Sequence, residues 1–195
     1  MHKLSASFVH GYHGCDRSVA ERLLKNESFT LSQNDYDWLG EGIYFWEANP
    51  LRGLEFAREV KKRDPNRIKD PFVVGAILDL GFCLDLTTSS GAQMAKSAYD
   101  QLKRLYELAE KPLPKNRPDR LLHPLDCVVI NNLHRIRGEE GLPPVDSVKG
   151  IFQEPPAIYP GSAFMQKSHI QIAVRNHNCI KGVFRVPDTH LDPTP

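Results

Sequence analysis

Residues 72–80, Phe-Val-Val-Gly-Ala-Ile-Leu-Asp-Leu, are almost continuously apolar and rich in Val and Ile. A strand with one wet face alternates apolar and polar residues, whereas a strand covered on both faces does not. The run therefore predicts a doubly buried strand, and the chain must supply cover for each face. Helical periodicity over 92–110 sets Met94, Ala98, Leu102, Leu105 and Leu108 on one side. Asp16 can cap a helix over 18–25 whose apolar side is Val19, Leu23 and Leu24. Asn49-Pro50 opens another helix, since proline suits the first helical position; it runs to about residue 63 with Leu51, Leu54, Phe56, Ala57 and Val60 as its stripe. Leu125, Val128, Val129, Leu133 and Ile136 fit a helix too, although Val-Val-Ile also suits a strand. Further strands are expected at 8–13, 43–46, 150–158, 168–174 and 180–186, with a loop over 160–167. The class is α+β, and at 195 residues the expectation is a single domain, 1–195, able to close its own core.

Composition removes several alternatives. With 41% hydrophobic and 25% charged residues, the chain suits neither a disordered segment nor a membrane-embedded one. No apolar run approaches the ~20 residues of a membrane span. Residues 1–8 lack the apolar stretch and cleavage site of a signal peptide, so a cytoplasmic setting is expected. Lys+Arg is 25 and Asp+Glu is 24, a net charge of +1, which does not describe a polybasic wrapper of duplex nucleic acid. Cys15, Cys83, Cys127 and Cys179 include no CxxC pair, and the eight histidines have no ligand spacing, so no metal site is expected. There is no P-loop, Rossmann fingerprint, HExxH or EF-hand loop.

Three short segments remain as candidates for chemistry. In 168–174, Ile170, Ile172 and Val174 alternate, which puts His169 and Gln171 on the opposite face, either a solvated surface or a cleft wall. Tyr12-His13-Gly14 ends a strand with a hydrogen-bonding ring beside a residue lacking Cβ; it is either a plain turn or a place where a ligand meets backbone. Gly40-Glu41-Gly42-Ile43-Tyr44-Phe45-Trp46 sets aromatics after two glycines, for core packing or for stacking on a planar heterocycle.

Taken in order, His13-Gly14, Gly40 to Phe45 and Gln171 within His169-Ile170-Gln171-Ile172-Ala173-Val174 resemble the ADP-ribosyltransferase family. The branch is the His–Tyr–Glu one, which includes diphtheria-toxin-like enzymes and poly(ADP-ribose) polymerases. The likeness covers roughly residues 8–60 and 165–186. It implies a split β-sheet core with flanking helices, NAD as co-substrate, release of nicotinamide, and transfer of ADP-ribose to a protein or a single-stranded nucleic acid. His13 would bond the adenosine-side ribose, Gly14 would offer its backbone to the nicotinamide carboxamide, and Gly42 would border the site. Tyr44 would stack on the nicotinamide ring with Phe56 as the second aromatic. Three positions before Phe56, where the family often carries a small hydroxyl residue, stands Gly53. The catalytic set would be Gln171, Tyr44 and His13. Gln171 replaces the family's usual Glu, which removes a charge but keeps hydrogen bonding. Phe164 and His169 would recognise the acceptor. A small enzyme of this kind suits a toxin or defence effector with an antitoxin or inhibitor protein as partner, and no membrane.

Two other readings stand beside this one. A degenerate member would bind NAD without turnover. A Cys–His hydrolase would use Cys15, activated by the positive end of the following helix, with His169 or His177 and Asn176.

Overall fold

The computed structural model describes residues 8–118 and 122–192; the first seven residues, on which the expected absence of a signal peptide rests, lie outside them. Seven strands and four helices occur among the described residues. In chain order they are β1 (Phe8–Asp16), α1 (Arg17–Leu23), β2 (Ile43–Glu47), α2 (Pro50–Arg63), β3 (Pro71–Asp79), β4 (Cys83–Asp85), α3 (Ser89–Leu108), α4 (Pro124–Glu139), β5 (Ser147–Phe152), β6 (His169–Val174) and β7 (Ile180–Arg185). The fold is mixed α and β. The chain divides into two compact units.

The first unit comprises Met1–Thr30, Tyr44–Gly81 and Asn176–Pro195. Its strands run in the order β2-β1-β3-β7, antiparallel throughout. β3 is the doubly buried strand: Val73 and Val74 point to opposite faces and neither is more than 1% exposed. Helix α2 packs on β1 and β3. Tyr12, Leu54, Val73 and Val186 form one core cluster, and Ala57, Val60 and Ile68 form another with Phe56 against it. Local chemistry sets the helix starts. The Asp16 carboxylate accepts from Ser18 N at 2.9 Å, and Asn49 Oδ1 accepts from Arg52 N at 3.0 Å.

The second unit comprises Leu31–Ile43 and Phe82–Arg175. β4 and β5 pair in parallel, β5 and β6 antiparallel, and α3 packs on α4. The ambiguous segment around Val128 is helix: Cys127, Ile130 and Leu133 are buried at helical spacing. The strand expected at 150–158 begins earlier and stops at Phe152, before Pro155-Pro156. The loop expected at 160–167 is present and folds back as a hairpin closed by one isolated bridge. Ala157 bridges Met165, Ile158 N donates to Phe164 O at 3.0 Å, and Ser162 N donates to Tyr159 O at 3.0 Å around Pro160-Gly161. The apolar stripe of α3 is shorter than its periodicity implies, since Leu105 is 47% and Leu108 84% exposed. The alternation read in β6 also fails at both ends: Ala173, on the polar face by alternation, is fully buried. His169, placed on the polar face, is 7% exposed and as buried as the core positions.

Candidate functional site

In the first unit two of the expected residues, His13 and Tyr44, meet near the end of β1. His13 Nδ1 lies 2.8 Å from the backbone carbonyl of Tyr44, thirty-one residues on. A carbonyl only accepts, so Nδ1 carries the proton and Nε2 keeps a lone pair. Burial pushes the His13 pKa down, and this outweighs the opposing effect of that bond. The ring is therefore a neutral acceptor. Phe29 meets it edge-on at 5.3 Å and Phe45 lies at 5.7 Å. Tyr44 is half-buried on β2.

Gly14 has a packing reason to be glycine. A Cβ there would stand 2.0 Å from Gly53 O and 2.9 Å from Gly53 C, so β1 and α2 touch backbone to backbone. Gly53 is less constrained: its Cβ would meet the Val73 Cγ2 methyl at 3.1 Å, a tight contact with a side chain rather than a backbone. Phe56, expected as a second stacking aromatic, lies on Trp46 at 4.8 Å and packs against the Ala57, Val60, Ile68 cluster. Its ring serves the core.

Cys15 does not fit a nucleophile. It is buried, and its thiol is pushed up to about 12 by burial, with Asp16 adding to the effect. The helix end offered as its activator does not reverse this. His177 Nε2 is 3.0 Å from Phe29 O, a structural bond.

In the second unit Gly40 and Gly42 are held from two sides. Gly40 has φ +74°, and a Cβ there would meet Asn131 Oδ1 at 2.6 Å and Ile130 Cγ2 at 2.9 Å. Asn131, on α4, accepts from Glu41 N at 3.0 Å. Gly42 exchanges backbone bonds with Ser32 and sits against Ala173 of β6. Nothing in the sequence marked Asn131; a polar residue inside an apolar helical stripe is its only trace.

Gln171 is half-buried on β6, opposite Gly150 of β5. Trp38 Nε1 donates to Gln171 Oε1 at 2.6 Å. The indole is braced by Phe152 at 5.2 Å and His123 at 6.4 Å, and His123 Nδ1 lies 3.0 Å from the Asp126 carboxylate. His169 packs on Phe152 at 5.5 Å, and its Nδ1 donates to Lys167 O. Buried in this way, it is not placed to greet an acceptor. Phe164 is 66% exposed on the hairpin that leads into β6. Among the described residues no group of three His, Cys, Asp or Glu could hold a metal ion, and no helix is long and apolar enough to cross a membrane.

Comparison with known proteins gives one relative and no name for the site. The chain is 26% identical over 189 residues to the uncharacterized protein MJ0359 of Methanocaldococcus jannaschii, covering 87% of this chain and 83% of that one. No protein family matches, and no solved structure matches.

Proposed function

We propose that this chain is an ADP-ribosyltransferase, with the split-sheet core and flanking helices of that family. It takes NAD as substrate, releases nicotinamide and transfers ADP-ribose to a macromolecular acceptor, a protein or a single-stranded nucleic acid. The observation that carries the reading is the bond from His13 to the Tyr44 carbonyl. It joins two residues that the resemblance assigns to one dinucleotide and puts the ring proton on Nδ1, while burial keeps the ring neutral with the Nε2 lone pair available to a ribose hydroxyl. The bond from nicotinamide nitrogen to ribose C1′ breaks with its electron pair going to nitrogen, so positive charge grows on the sugar. The acceptor's nucleophile then bonds to C1′ and loses its proton.

In this reading Tyr44 stacks on nicotinamide, Gly14 offers backbone groups, Gly42 gives clearance and Gln171 bonds the nicotinamide-side ribose. Phe56 and His169 are left to the core. Phe164 is the remaining candidate for reading the acceptor. A cytoplasmic toxin or defence effector restrained by an antitoxin or inhibitor protein is the biological setting that we propose.

The test is NAD binding and turnover in the wild type and in Tyr44→Ala. At a hundredfold excess over Kd, a ligand of the folded state stabilises it by about 2.7 kcal/mol. For a chain of this size that raises Tm by roughly 5–11 °C. Tyr44→Ala should keep its fold and lose the shift; an undiminished shift refutes the stacking role. Incubation with labelled NAD and a lysate, followed by protease or nuclease, identifies the acceptor. The uncharged amide of Gln171 favours one second reading, a member that binds NAD without turnover. A melting shift with no nicotinamide release would establish it.

A further inference from the structure

The side chain of Gln171 is not free to choose its orientation. An amide can present either its oxygen or its NH2 group to a ligand, and the two ends look alike in shape. Trp38 removes the choice. The indole Nε1–H only donates, so the atom 2.6 Å from it must be the amide oxygen. The NH2 group then points elsewhere, and among the described residues it has no other side-chain bond.

The seat of the indole is built from three further positions. Gly150 is paired with Gln171 across β5 and β6. A Cβ at Gly150 would lie 2.6 Å from Trp38 Cη2 and 3.0 Å from Cζ3. The missing side chain is therefore the space that the ring occupies. Phe152, two residues further on β5, lies 5.2 Å from the ring on one side, and His123 at the start of α4 bounds another.

We infer that Trp38 is a positioning residue that makes Gln171 a hydrogen-bond donor, so that the ligand atom Gln171 meets must be an acceptor. The inference rests on the ADP-ribosyltransferase reading for the identity of that ligand. With NAD the partner is a lone pair of a nicotinamide-side ribose hydroxyl. A carboxylate at 171 would do the opposite. It would accept from Trp38 with one oxygen and from the ribose O–H with the other. The exchange of Glu for Gln thus reverses the polarity of the contact, and Trp38 serves either side chain.

The bond is tested first, without any ligand. The chain has two tryptophans, Trp38 and Trp46, and so two indole N–H signals in a nitrogen-15 spectrum. Trp38→Phe assigns them. Gln171→Leu should shift the Trp38 signal and speed its solvent exchange while leaving Trp46 in place. An unmoved Trp38 signal overturns the inference.

The polarity is tested by equilibrium binding of NAD and of analogues in which fluorine replaces each nicotinamide-side ribose hydroxyl in turn. Fluorine accepts weakly and cannot donate. The wild type should bind every analogue within about threefold of NAD, whereas Gln171→Glu should lose about tenfold or more for one of them, the scale of a single hydrogen bond. Trp38→Phe keeps the ring and drops the N–H, so the amide can turn. Its discrimination against that analogue should rise toward that of Gln171→Glu, with NAD affinity nearly constant, a change that a packing role alone would not produce. Gly150→Ala, which displaces the indole, should behave like Trp38→Phe. Wild-type discrimination as strong as that of Gln171→Glu overturns the donor assignment. If the wild type binds no NAD, the enzyme reading and the ribose as ligand both fail, and the indole spectrum still decides whether Trp38 fixes the amide.

Discussion

Replacing Gly14 by alanine probes the closest backbone approach in the first unit. The new methyl carbon would stand 2.0 Å from the Gly53 carbonyl oxygen. A carbon and an oxygen without a strong bond settle near 3.3 Å. The obstacle belongs to a helix backbone, so relief means moving α2 off β1 by about an ångström. Overpacking a core typically costs about 1–3 kcal/mol. With a rigid opponent the upper end applies, roughly 3 kcal/mol. In a chain of this length each kcal/mol moves Tm by about 2–4 °C, so Gly14→Ala should melt roughly 6–12 °C below wild type. Gly138→Ala and Gly182→Ala are matched controls, because no heavy atom lies within 4 Å of a Cβ at either. Gly138 lies inside α4, where alanine is worth up to about 1 kcal/mol more than glycine. Differential scanning calorimetry on the three variants reads the contrast. A Gly14→Ala protein melting within about 2 °C of wild type would refute the contact between β1 and α2. Lost NAD binding in Gly14→Ala would report this displacement rather than a ligand contact, which is why Tyr44→Ala is the cleaner probe of the site.

Other expectations follow from titration and exposure. His134 Nε2 is buried without a hydrogen-bond partner among the described residues, and burial, with Arg175 and Arg137 adding, lowers its pKa to about 3. The unfolded chain therefore binds this proton first, so stability falls as pH drops from about 6.5 toward 3. In His134→Gln, urea midpoints measured between pH 7 and 5 should decline less steeply, and an unchanged slope would reject that role. Cys15, with its thiol near 12, should resist iodoacetamide at pH 8, and Cys15→Ala should keep any NAD consumption; loss of turnover would revive the hydrolase reading. Phe164→Ala should reduce ADP-ribose transfer several-fold more than NAD hydrolysis, because the ring is exposed on the hairpin that leads into β6. Equal losses in the two assays would mean that the hairpin shapes the NAD pocket instead.

Features with local causes could be read from the residues directly. Asp16 and Asn49 cap helices through bonds to backbone N–H groups two or three residues away, and both caps are present. The double burial of β3 followed from a nearly unbroken apolar run, because the pleat sends successive side chains to opposite faces whatever the surroundings. Periodicity fared worse where burial was the question. Leu105 and Leu108 keep helical spacing yet face water, since spacing reports which residues share a side and not whether a neighbour covers it. His169 was misplaced for the same reason: alternation puts it away from Ile172, and only the packing of Phe152 shows that this face is covered too.

The sequence by itself determined most element types and the helix starts, because each rests on chemistry within a few residues of chain, and the order of three short motifs proposed the list holding His13, Gly14, Gly42, Tyr44 and Gln171. Tertiary structure alone decided what those residues are. The proton on His13 Nδ1 is set by a carbonyl thirty-one residues away, and the orientation of Gln171 by an indole 133 residues away. The glycine at 14 is set by a helix backbone that it meets only after folding. Protonation, amide orientation and clearance depend on which donor, acceptor or backbone atom stands at bonding or contact distance, and over such separations only the folded chain brings those atoms together.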